Sequence, residues 1–527
     1  MRTATLVKIA RTLGLGSVAN RWAINHFASA TAARPRPFSL WSHADAATPS
    51  APDYVSDYTS WPSLVDRRFS ARHLPPADPA YVAGLPRDAG FDPQTGQLGD
   101  VTSLFARTGA MLPSRSSALF AFFAQWFTDS VLRFDSRDRR KNTSNHDIDL
   151  CQIYGLTDAT TRSLRAFTGG RLTSRLIDGE ELPDSLCEPD GAGDWRVKAK
   201  YTGIVSDAVV DQFLSGFPKD RKEKLYATGL ERGNSSIGYV AVNTIFLREH
   251  NRLCGELARR NPRWDDERLF QTARAINIVL LLKLVVEDYI NHILGAKLFR
   301  LDTRFAEGER WYRPNWIAAE FDLLYRWHGL MPDELLVNGA KLDHWAYRNH
   351  NALLEQVGLA TVIDAASRAP AGRIGLFNSP RFLWLAEARA IEMGRSFRLR
   401  PYNEYRERFG LRRLRGLDDL SRDPTTQARL AALYPRGIDQ VEFLVGIFAE
   451  DRDGPELFGE LLTRMVAYDA FTQIFPNPLL AEAIHDARTF SAYGMEVIEA
   501  TDTIQTLVDR NLKPGTKARA KLGMPSS

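Results

Sequence analysis

Apolar residues recur at three- and four-residue spacing in several long segments of the chain, which is the period of an amphipathic helix. The clearest segments are Arg248–Arg260, Asp265–Gly295 and Ile317–His328. The second begins with three carboxylates, which the helix dipole favours, and its apolar stripe is wide enough to indicate burial on most sides. Alternation typical of strands is scarce. The pattern predicts a mainly α protein with one large helical domain.

The first fifty residues follow a different pattern. Apolar side chains are scattered there among cations, glycines and alanines, and the proline-containing stretch Ala32–Pro37 follows them. We therefore separate an N-terminal amphipathic segment, residues 1–50, from a main domain, residues 51–527. Two interpretations stay open for the segment: a helix packed on the main domain, or a helix lying in a membrane interface with Trp22 and Phe27 facing the lipid.

Composition and charge exclude several classes of protein. The chain has 527 residues, of which 44% are hydrophobic and 25% charged, as in folded proteins. A net charge of +4 gives no case for nucleic-acid binding. The longest apolar run, Ala118–Ala124, is too short to span a bilayer, and no unbroken apolar stretch follows the basic N-terminus. We expect no transmembrane helix, no cleaved signal peptide, and a cytoplasmic or peripherally membrane-associated protein.

Two pairs of side chains are candidates for chemistry. If Ile317–His328 is helical throughout, Tyr325 and His328 share a face one turn apart. An imidazole suits an axial haem ligand, and a phenol beside it suits electron transfer to an oxidised haem. Gln125 and Asp129 point the same way from an apolar helix, and burying both requires partners. Taken alone, each pair also fits ordinary packing or a helix end that turns to solvent.

Ten short motifs follow one another between Tyr54 and Asn511. They are Asp57-Tyr-Thr-Ser-Trp61, Asp149-Leu-Cys-Gln-Ile-Tyr-Gly155, Leu247-Arg-Glu-His-Asn-Arg252, Asp265-Asp-Glu-Arg-Leu-Phe-Gln-Thr272, Val286-Glu-Asp-Tyr289, Ile317-Ala-Ala-Glu-Phe321, Leu324-Tyr-Arg-Trp-His328, Ala371-Gly-Arg-Ile-Gly375, Tyr402-Asn-Glu-Tyr-Arg-Glu-Arg-Phe409 and Phe458-Gly-Glu460. In this order they resemble the haem peroxidase–cyclooxygenase superfamily, specifically its prostaglandin endoperoxide synthase branch. No EGF-like module precedes the series, which suggests a bacterial-type member.

The resemblance implies a role for each matching residue. It implies haem b as the cofactor, with His328 as the proximal ligand. Tyr325 matches the tyrosine whose radical takes a hydrogen atom from a fatty acid, and Tyr289 matches the tyrosine hydrogen-bonded to it. Gln125 matches the distal glutamine. Asn403 lies where related peroxidases have an asparagine near the proximal histidine, so we expect it to bind the ring N–H.

The chain departs from the family pattern at the distal site and in the substrate channel. Asp129 replaces the distal histidine and is mostly ionised at neutral pH unless burial raises its pKa, so we expect weakened peroxidase turnover. The arginine that pairs with the substrate carboxylate falls near Ala30, with Arg34 or Arg36 as substitutes, or the substrate is not anchored in this way. Channel positions that are polar in the family are apolar here: Ala470, Ala296 and Leu294. Prostaglandin formation itself is not expected.

The resemblance implies a haem-dependent fatty-acid or lipid oxygenase that forms a tyrosyl radical, inserts O2 and needs a hydroperoxide activator. Two alternatives stay open. One is a haem peroxidase that oxidises small donors with hydrogen peroxide, and the other is a non-catalytic haem-bearing lipid sensor. The family habit further implies a homodimer, and the N-terminal segment implies peripheral membrane contact.

Overall fold

Helices dominate the computed structural model, which describes residues 16–29, 38–40, 65–87 and 90–525. The prediction of a mainly α fold is confirmed. In these residues the helices of ten or more residues are α1 (Gly16–Ala28), α2 (Ala118–Thr128), α3 (Ile237–Arg260), α4 (Asp266–Leu284), α5 (Leu359–Arg368), α6 (Trp384–Ser396), α7 (Pro424–Leu433), α8 (Glu460–Ile474) and α9 (Ala487–Ala500).

Shorter elements fill the connections. The short α-helices are Pro79–Ala83, Asp100–Ser103, Cys151–Tyr154, Asp158–Leu164, Asp207–Phe213, Asn291–Leu294, Ala319–Leu324, His344–Tyr347, Asn351–Val357, Tyr402–Arg408, Leu417–Leu420, Phe443–Ala449 and Ile504–Asp509. Turns of 3-10 helix are Ala199–Tyr201, Lys219–Lys224, Ala306–Gly308, His328–Leu330, Arg381–Leu383, Ile438–Gln440 and Pro478–Leu480. The strands form antiparallel pairs: Phe38–Ser39 with Ala71–Arg72, Pro113–Ser117 with Pro370–Gly372, Ser174–Ile177 with Glu180–Pro183, Cys187–Pro189 with Trp195–Val197, and Glu334–Val337 with Ala340–Asp343.

The helices α2 and α3 form the inner core and lie unusually close to each other. A Cβ atom on Gly238 would lie 2.1 Å from the Phe122 ring, so only glycine fits at this crossing. The Trp126 indole N–H donates to the Asn243 side chain at 3.0 Å and ties the two helices together. Because α2 also carries Gln125, this crossing fixes the position of one candidate site residue.

The long helix expected over Asp265–Gly295 is interrupted near its end. α4 gives way at Val285 to a π-helical turn, Val285–Ile290, which contains Tyr289, before the chain resumes as Asn291–Leu294. Such π turns are frequent at functional sites because they insert an extra residue and re-aim the side chains that follow. By length and hydropathy the combined stretch Asp266–Leu294 could cross a membrane, but 78% of its apolar window is buried inside the protein, as in a core helix.

The N-terminal helix α1 packs on the main domain. Ala19, Ala23 and Phe27 are buried against it, whereas Val18 and Trp22 on the opposite side stay largely exposed. The first of the two interpretations of this helix is therefore confirmed for residues 16–28. The second interpretation is wrong for Phe27, which packs inside the protein instead of facing lipid, and it stays open for Trp22.

Candidate active site

The backbone leaves the helical path between Tyr325 and His328. The helix Ala319–Leu324 ends before Tyr325, and His328 begins a separate 3-10 turn. The expectation of one continuous helix over Ile317–His328 is therefore wrong. The bend brings the Trp327 ring over Tyr325, with 4.5 Å between ring centroids, a contact that residues i and i+2 cannot make on a helix.

His328 contacts a buried carboxylate on α6. Its Nδ1 atom lies 3.0 Å from Oε1 of Glu387, although the N–H is not aligned as a hydrogen bond. Its Nε2 atom makes no hydrogen bond within the described residues. A ring nitrogen without a protein partner beside a cavity is what an axial metal ligand requires.

The sequence assigned the partner of His328 to Asn403, and the structure corrects this. The Asn403 amide donates to the Leu414 carbonyl at 2.9 Å and to Asp439 at 2.7 Å, and its oxygen accepts from the Leu414 N–H at 2.8 Å. Both N–H groups and the oxygen of the amide are therefore engaged by Leu414 and Asp439, and none of these bonds involves His328. Glu387 holds the place beside the ring instead, and no local sequence pattern connects it to His328.

Gln125 and Asp129 lie on the same side of α2, as the spacing predicts. The Gln125 amide donates to Ser235 at 3.4 Å. Burial raises the pKa of Asp129, and the nearby Arg232 and Arg133 oppose that rise only in part. The Oδ2 atom of Asp129 is sealed from solvent without a hydrogen-bond partner in the described structure. Asp129 is thus a carboxyl group prepared to hold or transfer a proton.

Both pairs of candidate residues line one cavity of about 290 Å3. Two further lining residues, Arg232 and Arg348, have no carboxylate within ion-pair distance in the described part of the chain. The indole N–H of Trp327 is also buried without a partner. These observations fit haem: His328 offers an axial nitrogen, the two arginines suit its propionates, and the wall leaves polar atoms unpaired.

Tyr325 lies at the edge of this cavity within a cluster of aromatic rings. Burial and then the carboxylate of Asp469, on α8, raise the pKa of Tyr325, so its hydroxyl is neutral. The Tyr289 hydroxyl interacts with it and lowers the same pKa slightly, but by its angles it forms no hydrogen bond in this structure. The Tyr289 and Tyr325 side chains are therefore neighbours, as expected, but the expected hydrogen bond between their hydroxyls is not formed.

A second, larger cavity of about 670 Å3 lies on the other side of the aromatic cluster. Its apolar lining consists of Phe27, Leu294, Leu298, Leu411, Leu414, Leu420 and Phe458. The Phe458 ring packs on Trp327 with 5.2 Å between centroids, so these two rings separate the cavities. Arg464 also lines this cavity, on α8. Sequence analysis did not identify Arg464, and the positions that it did consider, Ala30, Arg34 and Arg36, lie outside the described residues.

His250 lies on α3 and is fully buried. This buried side chain contacts the Tyr154 hydroxyl and the Gly170 carbonyl, each at 2.9 Å. No group of His, Cys, Asp and Glu suited to a metal ion occurs in the residues that the structure describes.

Comparisons with solved structures establish the fold. Peroxidase A from Dictyostelium discoideum superposes with a TM-score of 0.66 at 19% identity, covering 86% of this chain and 95% of its own. The fatty acid alpha-dioxygenase of Oryza sativa gives the same TM-score at 17% identity, covering 84% of this chain and 80% of its own. Another structure of the rice enzyme, a variant with palmitic acid, matches equally well.

Comparisons of sequence establish the family. The chain is 32% identical to prostaglandin G/H synthase 1 of Mus musculus over 480 residues, which is 88% of this chain and 75% of the mouse protein. It is 30% identical to prostaglandin G/H synthase 2 of Equus caballus over 477 residues, 88% of this chain and 74% of the horse protein. The model of the animal haem peroxidase family matches residues 110–374 and 375–520. Together with the cavity around His328, these matches lead to one conclusion: the chain belongs to the animal haem peroxidase family, whose members are haem-dependent oxidoreductases.

Proposed function

We propose that this protein is a haem-dependent fatty-acid oxygenase, activated by hydroperoxide, in which a Tyr325 radical abstracts hydrogen and O2 is then added. The observation that carries the proposal is that Tyr325 shares one cavity with His328. Asp469, whose carboxylate raises the pKa of Tyr325, lies on α8, the helix that also contributes Arg464 to the lipid-sized cavity. Relatives named for prostaglandin synthesis and for fatty-acid dioxygenation support the substrate class.

The residues around the first cavity have different roles in forming the Tyr325 radical. His328 would hold haem b, which would supply the oxidising equivalent, and Tyr325 would give up one electron and its hydroxyl proton to that oxidant. Asp129 and Gln125 lie where a proton must move when the activating hydroperoxide is cleaved. The Tyr325 radical takes a hydrogen atom from the substrate, O2 joins the resulting carbon radical, and the peroxyl radical regains a hydrogen atom from Tyr325.

We propose that Arg464 binds the carboxylate of the substrate. Most of the acidic side chains around this cavity lie in ion pairs, because Arg406 pairs with Glu450 and Glu460, Arg422 with Asp451 and Asp453, and Arg415 with Asp419. The seven acids of the lining nevertheless outnumber its four arginines. Arg464, by contrast, has no carboxylate within ion-pair distance in the described chain, and its Nε–H is buried without a partner. An apolar wall that ends at an unpaired arginine suits a fatty acid.

Binding of the substrate carboxylate at Arg464 favours oxygenation within the acyl chain over oxygenation at the carbon next to the carboxylate. From Arg464 to Asp469, whose carboxylate raises the pKa of Tyr325, α8 rises about 7.5 Å. A carboxylate at Arg464 therefore leaves several methylene groups between itself and Tyr325. Phe458 lines the cavity and packs on Trp327, which in turn contacts Tyr325, so we propose that the acyl chain displaces Phe458 to reach the hydroxyl.

Oxygen uptake with linoleate, oleate, palmitate and arachidonate tests the proposal. Wild type and Tyr325→Phe are compared at equal haem occupancy, which the Soret band reports. Tyr312→Phe removes the hydroxyl of another partly buried tyrosine, outside both cavities, and serves as the matched control. We expect uptake that only Tyr325→Phe abolishes, with oxygen in the middle of the chain by mass spectrometry.

Two results would contradict the proposal. Full uptake by Tyr325→Phe would exclude the tyrosyl mechanism. No uptake by any of the three proteins, together with rapid oxidation of guaiacol by hydrogen peroxide, would make the protein a peroxidase for small donors. Products oxygenated at C2 would overturn the role of Arg464 and leave the radical mechanism in place.

A further inference from the structure

Glu387 is a buried carboxylate whose charge is not balanced by lysine or arginine. The residue is 1% exposed, and within the described chain no such cation lies within ion-pair distance. Ser379 Oγ donates to Oε1 of Glu387, while Oε2 has no hydrogen-bond partner. Burying a carboxylate in this state is costly, so its presence requires an interaction that offsets the cost. The ring of His328, 3.0 Å away, is placed to provide it.

Both sides of this contact are held in place by hydrogen bonds to the backbone. The Trp384 indole N–H donates to the Ser379 carbonyl at 2.9 Å, and the Ser379 N–H donates to the Phe105 carbonyl at 2.8 Å. On the other side, Arg107 donates to the carbonyls of Gly329 and Met331, at 3.2 and 3.0 Å. The turn that carries His328 and the segment that leads into α6 and Glu387 are thus tied to the same stretch of chain, residues 105–107. Their separation is a property of the fold.

We infer that Glu387 is a positioning residue that accepts the Nδ1–H of His328, selects the tautomer with Nε2 unprotonated, and increases the electron donation of the ring to the haem iron. The inference rests on the proposed ligation by His328. A carboxylate behind a ligating histidine fixes the orientation of the ring and raises its basicity. Greater donation stabilises the ferric over the ferrous state and so lowers the reduction potential of the iron.

Greater electron donation from His328 would help an oxygenase that has Asp129 in place of the distal histidine. Asp129 replaces the expected imidazole on the distal side, and its carboxyl group is the poorer proton acceptor for peroxide cleavage. Electron donation from the proximal side acts on the same bond cleavage without needing a distal histidine. Glu387 therefore compensates on one face of the haem for what Asp129 lacks on the other.

The test is Glu387→Gln in the haem-loaded full chain, with Glu392→Gln as the matched control because Glu392 is an exposed glutamate on the same helix. We measure the ferric/ferrous midpoint potential by spectroelectrochemistry and the Fe–His stretching frequency of the ferrous protein by resonance Raman. We expect Glu387→Gln to raise the potential and lower the stretching frequency, while Glu392→Gln matches wild type.

Ser379→Ala gives a second test with the opposite sign. Removing the hydroxyl that donates to Oε1 leaves the carboxylate a stronger acceptor, so the potential falls and the stretching frequency rises. Unmoved values in Glu387→Gln and Ser379→Ala, with normal haem binding in both, would overturn the inference. If His328→Ala keeps the wild-type haem spectrum, the ligation itself is wrong, and that failure belongs to the proposed function.

Discussion

Nη1 of Arg464 lies 2.6 Å from Nε2 of His26, so a helix from the N-terminal segment and a helix from the main domain meet at the cavity that we assign to the lipid. Burial and the neighbouring Arg464 both lower the pKa of His26, which keeps this imidazole neutral. A neutral Nε2 accepts one N–H of the guanidinium and leaves the others for a carboxylate. The N-terminal segment thereby contributes to the substrate site.

Replacing Arg464 by Gln should raise the KM for fatty acids about tenfold, because one charge-assisted interaction is lost. The kcat should change little, since Tyr325 and the haem site are intact. Steady-state oxygen uptake measures both constants. The methyl ester of the same fatty acid has no charge to bind, so its KM should be the same in variant and wild type.

Arg412→Gln is the matched control for this prediction. Arg412 lines the same cavity but is exposed to solvent. Equal increases in KM for the two variants would mean a general effect of positive charge, and an unchanged KM in Arg464→Gln would remove the proposed anchor.

The pH dependence of hydroperoxide cleavage should follow Asp129. Its carboxyl group has to be ionised to accept a proton, and burial raises its pKa. The rate should therefore fall as the pH drops through this raised pKa, at a higher pH than an exposed aspartate would give. Stopped-flow measurement of haem oxidation by a lipid hydroperoxide at different pH values gives the profile.

Variants at position 129 check the assignment. Asp129→Asn should be slower at all pH values and lose the acid limb, whereas Asp129→His should be faster near neutral pH. Asp220→Asn, at an exposed site, is the control and should behave as wild type. An acid limb that persists in Asp129→Asn would assign the titration to another group.

Gly238→Ala should destabilise the protein by about 1–3 kcal/mol, because the new methyl group would overlap the Phe122 ring. Gly255→Ala on the same helix meets nothing within 4 Å and should be neutral or stabilising by up to about 1 kcal/mol. Denaturant unfolding of the two variants beside wild type measures the difference. Equal stabilities would show that α2 and α3 can move apart without cost.

The exposed face of α1 should contact lipid. We propose that Val18 and Trp22, 62% and 47% exposed, insert into a membrane surface beside the lipid cavity. Val18→Ser with Trp22→Ser should reduce co-sedimentation with liposomes of phosphatidylcholine and phosphatidylglycerol. Leu176→Ser with Leu336→Ser removes comparably exposed apolar side chains elsewhere and should bind as wild type. Undiminished binding by the first double variant would argue against this contact.

The sequence predicts those site residues whose role depends on their neighbours along the chain. It does not predict those whose role depends on contacts between distant segments. The spacing of Gln125 and Asp129 follows from one helix, and the motif around His328 identifies that residue and Tyr325 in a few letters. The bend at Tyr325–His328 was missed because it is stabilised by Trp327 packing on Phe458, a contact between distant segments. Glu387 and the pair of His26 and Arg464 were missed for the same reason, since helical periodicity contains no information about which helices meet.

The two aromatic rings between the cavities have a consequence for the lifetime of the enzyme. Trp327 lines the cavity that we assign to peroxide, Phe458 lines the one that we assign to lipid, and Trp327 contacts both Phe458 and Tyr325. An oxidising equivalent that finds no lipid to react with therefore has an indole as its nearest alternative. Oxidative damage should therefore accumulate first at Trp327, so that the loss of activity depends on the number of turnovers and not on elapsed time.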